Sequence, residues 1–157
     1  MKAYTLSICG GFLALAVLLP LTGCAVEDGR PSLVPNADPL LRKSSTELAA
    51  DAAKRSYPMD APRGSDTIAR AQYNLMEKQF EVANLSGSDM QNVEVWLNQK
   101  YVVSVPDFDH NKGKTLDFGL FYDSEGHHFD TDFGGNPVKS LQIYQGGKLY
   151  DVVAVLE

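Results

Sequence analysis

Cysteine is nearly absent: the chain has two, Cys9 and Cys24. That excludes a disulfide framework and every zinc module built on several cysteines. Positive charge is scarce as well, with 14 Lys+Arg against 20 Asp+Glu and a net charge of −6. Nucleic acid is thereby excluded as a partner, because phosphate binding needs clustered cations. No Gly-x-Ser-x-Gly, His-Glu-x-x-His or phosphate-loop motif occurs, so the chemistries those motifs serve are missing too. Asp132-Phe133-Gly134 spells a kinase tripeptide, but no Gly-rich loop or catalytic loop accompanies it. What remains is an ordinary globular composition, 44% hydrophobic over 157 residues, sized for one domain.

The first 24 residues carry an address. After Lys2 no charged residue appears until Glu27, and Ile8 to Leu21 is an apolar run. This is the layout of an export signal, closed by Leu21-Thr22-Gly23-Cys24 with small residues before the cysteine. The stretch resembles the lipobox of bacterial lipoproteins. That resemblance covers residues 1–24 and implies that residues 1–23 are a signal peptide. It further implies that Cys24 is acylated and becomes the mature N-terminus. Ala25 in the next position resembles the class sorted to the outer membrane. The membrane is then the first partner, reached through lipid, and no free thiol remains for redox chemistry. The competing reading is an uncleaved transmembrane anchor, since 18 or more uncharged residues can span a bilayer. Gly10, Gly11 and Pro20 weigh against it.

Residues 24–66 read as a flexible linker, with five prolines and Tyr57 as the sole aromatic. Such a segment has little apolar surface with which to offset the entropy of ordering. One island is helical in pattern: Ser44-Ser45-Thr46-Glu47 has capping-box spacing, and residues 44–55 are rich in alanine.

Residues 67–157 change texture. Twelve aromatics fall within the last ninety residues, and β-branched runs of strand length alternate with Gly, Asp, Asn and Pro. Strands are expected at Phe80–Leu85, Val93–Asn98, Tyr101–Val105, Thr115–Tyr122, His128–Asp130, Val138–Gln145 and Leu149–Leu156, while residues 67–77 fit helix and strand templates equally. The fold class is therefore all-β: a small antiparallel sandwich of immunoglobulin-like type with about seven strands. Residues 70–157 resemble small envelope lipoproteins with one sandwich domain. A three-residue loop at Asn98-Gln99-Lys100 pairs Leu97 with Tyr101, Val95 with Val103 and Val93 with Val105, all on one apolar face. Trp96 then lies on the opposite face with Glu94, Val102 and Ser104, as a candidate binding face or as half-buried packing.

Acidic loops offer the other candidate. Asp107, Asp109 and Asn111 have the alternating oxygen ligands of a calcium loop, without the Gly and Glu that complete an EF-hand. Asp130 and Asp132 repeat the spacing. If the chain reverses at every expected turn, loops 86–91, 106–114 and 131–137 share the end farthest from the linker. Loops 98–100, 123–126 and 146–147 then share the other. Asp89 and these aspartates would so gather at one tip, either as solvated turns or as a weak calcium site. His127 and His128 would point to opposite faces of a strand, a poor arrangement for joint metal ligation.

No catalytic constellation is visible, so a lipid-anchored binding or structural module of the cell envelope is expected, not an enzyme. Its partner would be another envelope protein or a glycan. The alternative is a small hydrolase using acidic loop residues.

Overall fold

The computed structural model describes residues 38–131 and 137–156. After a 3₁₀ turn at Pro39–Arg42 and helix α1 (Ser45–Ala52) come eight strands. They are β1 (Ala69–Asn74), β2 (Gln79–Asn84), β3 (Met90–Leu97), β4 (Tyr101–Phe108), β5 (Gly113–Asp117), β6 (Leu141–Gln145), β7 (Lys148–Asp151) and β8 (Val153–Leu156). They form two four-stranded sheets, ordered β5-β2-β1-β8 and β4-β3-β6-β7. The expected small all-β sandwich is what the chain adopts.

The core is the pair of inner faces. The β3–β4 hairpin has the expected register, Leu97 opposite Tyr101, Val95 opposite Val103 and Val93 opposite Val105, and all six are buried. Facing them, Phe80 and Val82 of β2 are fully buried. A chain of rings continues from Phe80 to Phe118 (centroids 4.9 Å apart), Phe118 to Phe129 (5.4 Å) and Phe129 to Tyr101 (5.2 Å). Asn98 and Gln99, the first two loop residues, both have positive φ (53° and 59°). Asn98 tolerates this conformation best and uses its side chain as a clamp. Its Oδ1 accepts from the Lys139 and Ser140 amides (2.7 and 3.2 Å), and its Nδ2 donates to the Pro137 carbonyl (2.8 Å).

Several sequence expectations are corrected. The run 115–122 is not one strand: β5 stops at Asp117 and a 3₁₀ turn takes Phe118–Leu120. A strand would have sent neighbours to opposite faces, whereas the turn directs Phe118, Leu120 and Phe121 all into the core. His128–Asp130 is not a strand either; His128 makes a single bridge to Tyr122. The run 149–156 switches sheets at buried Val152, so β7 pairs with β6 while β8 pairs parallel with β1. The ambiguous segment 67–77 holds β1 and the turn after it.

The largest difference concerns the expected linker. From residue 38 onward it is packed across the outer face of the β4-β3-β6-β7 sheet. Helix α1 begins with the expected capping box, the Glu47 amide donating to Ser44 Oγ and the Ser44 amide to Glu47 Oε2. Leu40, Leu48 and Ala52 are buried there. At the far side Arg63 bridges to Leu149, with the Gly64 amide donating to the Leu149 carbonyl (2.9 Å) and the Leu149 amide to the Pro62 carbonyl (3.0 Å). The segment thus pairs with the β7 edge, while Val102 of the β4 edge exchanges backbone hydrogen bonds with Tyr122 (2.9 and 3.3 Å), and paired edges resist aggregation.

Candidate functional site

The acidic loops do not form one tip. The loop before β3 and the loop after β4 do share an end, where the His110 amide donates to Asp89 Oδ1 (2.7 Å). Asp130 lies at the other end, 3.5 Å from Lys78 in the β1–β2 turn. The length of β2 separates the two, roughly 17 Å across its six residues. The cause is the missing His128–Asp130 strand. With one crossing fewer, β6 starts beside Leu97 and runs toward the Asp107 end, so Pro137 meets Asn98 of the 98–100 turn and the 146–147 turn falls at the Asp107 end. The described chain also enters at Asp38, beside Lys114 at the Asp107 end, so those loops are not the part farthest from it.

At that end lysines already answer the carboxylates. Lys112 Nζ lies 2.7 Å from Asp109 Oδ2, and this partner holds the Asp109 carboxyl below its ordinary range. Lys114 Nζ pairs with Asp38 (2.9 Å) and donates to the Asp107 carbonyl (2.8 Å). Asn111 Nδ2 lies 2.7 Å from His110 Nε2. The proposed calcium set of Asp107, Asp109, Asn111 and Asp130 is therefore not assembled; Asp132 and Cys24 lie outside the described residues. Buried Asn84 has a structural role at this end. Its Nδ2 donates to the Ser88 and Phe108 carbonyls (2.9 and 2.8 Å) and its Oδ1 accepts from the Ser86 amide (2.9 Å), tying the loops around it.

Trp96 is not an open face. It is 2% exposed, covered by Tyr57 edge-on at 5.5 Å between centroids. Its Nε1 donates to Glu94 Oε2 (3.1 Å), and Arg55 Nε donates to Glu94 Oε1 (3.2 Å). Tyr57 in turn donates its hydroxyl to Gln142 Oε1 (2.7 Å). Beside this network lies a pocket of about 260 Å³ lined by Arg55, Tyr57, Trp96, Gln99, Lys100 and Ser124. Paired charges, amides and ring edges suit a small polar ligand or a partner side chain.

The pocket's rim continues into a five-residue turn, Asp123 to His127. Asp123 is 1% exposed as a side chain. Its Oδ1 accepts from the Glu125 and His127 amides (3.0 and 2.9 Å), and its Oδ2 lies 3.1 Å from Lys100 Nζ and 3.4 Å from His127 Nδ1. Burial pushes this carboxyl upward, but the His127 amide, the Lys100 ammonium and the Glu125 amide outweigh it and hold the pKa at about 2. Ligand atoms of Asp123, Glu125 and His127 lie within 4.8 Å of one another, a group able to hold a metal ion. Reading His127 as a strand residue beside His128 hid this group. Its signal was Gly126, whose φ of 87° closes the turn and returns His127 to Asp123.

Among the described residues no helix is long and apolar enough to cross a membrane. No family model, curated protein or solved structure matches the chain.

Proposed function

We propose that the protein is a lipid-anchored module of the cell envelope. Acylated Cys24 holds it to the outer membrane, and the sandwich binds another envelope component, protein or glycan. The observation that carries this is the lipobox pattern Leu21–Cys24 closing the uncharged apolar run Ile8–Leu21. Two acyl chains give the durable attachment that one chain does not. The pocket between α1 and the β3–β4 turn is the concave surface available for a partner. Binding is favoured over hydrolysis because the carboxylates of Asp38 and Asp109 are engaged by lysines and that of Asp89 by an amide.

Fractionation of cells expressing Cys24→Ser tests the anchor. The wild type should partition with membranes and detergent, and the variant should move to the soluble or uncleaved fraction. Wild-type membrane partitioning by a processed Cys24→Ser protein would overturn the proposal.

A further inference from the structure

The turn Asp123–His127 holds more coordinating atoms than a tie between two loops needs. We propose that Asp123, Glu125 and His127 form a binding site for a divalent ion of the zinc type, and that the ion displaces Lys100 when it binds. The spacing suits such an ion. His127 Nδ1 lies 3.4 Å from Asp123 Oδ2 and 3.6 Å from Glu125 Oε2. Bonds of 2.0–2.1 Å in a tetrahedral shell place neighbouring ligand atoms about 3.3–3.4 Å apart. The third pair, Asp123 with Glu125, lies within 4.8 Å, and the exposed Glu125 side chain closes whatever gap remains.

Burial supplies the second argument. Asp123 Oδ2 is buried, a costly condition for a carboxylate oxygen, and what offsets it is the Lys100 ammonium at 3.1 Å. The nearby cation is the Lys100 ammonium, an ion-pair contact on a side chain 59% exposed. Lys100 also lies 5.1 Å over the Tyr101 ring, and its largely exposed side chain can turn into solvent to yield its place. The other oxygen of the same carboxylate is pinned by two backbone amides, so the ligand is aimed before any ion arrives. One imidazole and two carboxylates suit zinc better than calcium, which takes six to eight oxygens. Glu125 and His127 are exposed, leaving the fourth position to water at the rim of the neighbouring pocket.

Calorimetric titration of the full chain in detergent with zinc chloride, paired with melting temperatures, tests the site. Wild type should bind one zinc and melt at a higher temperature, because an ion bound only to the folded form stabilises it by mass action. Calcium at equal concentration should do neither. His127→Ala and Glu125→Gln change exposed side chains and should fold; each should weaken zinc binding by about tenfold or more. Lys100→Met should tighten it by about tenfold, since the resident charge no longer opposes the ion. Absence of zinc binding to wild type, or equal binding by wild type and His127→Ala, would overturn the site. Unchanged or weaker affinity in Lys100→Met would overturn the displacement.

Discussion

Tyr57 covers Trp96, ring edge to ring face at 5.5 Å and 82°, and by that contact a segment with the composition of a tether becomes part of the fold. Because Trp96 is the single tryptophan of the chain, its emission reports this docking directly. Tyr57→Ala should shift the emission to longer wavelength and lower stability by about 1–3 kcal/mol through lost ring packing and the hydrogen bond to Gln142. A chain starting at Asp66 should show the same red shift and melt well below one starting at Asp38. Equal emission and equal melting would mean that the segment only rests on the sheet.

Gly64 meets Tyr150 where the segment closes over β7. A Cβ there would stand 1.9 Å from Tyr150 Cε1, so the ring must move or the edge pairing to Leu149 must open. Gly64→Ala should cost about 1–3 kcal/mol in denaturant unfolding. Tyr150→Ala in the same chain should recover part of that loss by making room.

Asp123 gives the domain a defined acid response. Its folded pKa of about 2 lies below the usual 3.8, so the carboxylate favours the folded state. The contribution is complete above about pH 4 and is lost as pH falls through about 2. It amounts to about 2 kcal/mol. Asp123→Asn should be less stable than wild type by about that much at pH 7, and the gap should close between pH 4 and pH 2. A gap independent of pH would assign the loss to shape alone.

The hairpin 93–105 was legible because a three-residue loop is the choice that puts six apolar side chains on one face. The start of α1 was legible because Ser44 and Glu47 satisfy each other's backbone amides without any tertiary help. The docking of residues 38–64 was not, because its buried apolar residues are few and spaced by polar ones. The clue stood on the partner instead: Trp96 and Val102 side by side on the hairpin face opposite the core. The site at Asp123–His127 was obscured by one false strand at His128–Asp130. That error also put the 146–147 turn at the wrong end and assembled a calcium tip from Asp107 and Asp130, which lie a strand's length apart.

Lipid anchoring is tested most directly by the intact mass and N-terminal peptide of the protein extracted from membranes. It predicts a chain beginning at Cys24, with residues 1–23 gone and the added mass of acyl chains on that cysteine. A mature protein that retains Ile8–Leu21, or one beginning at an unmodified Cys24, would contradict it.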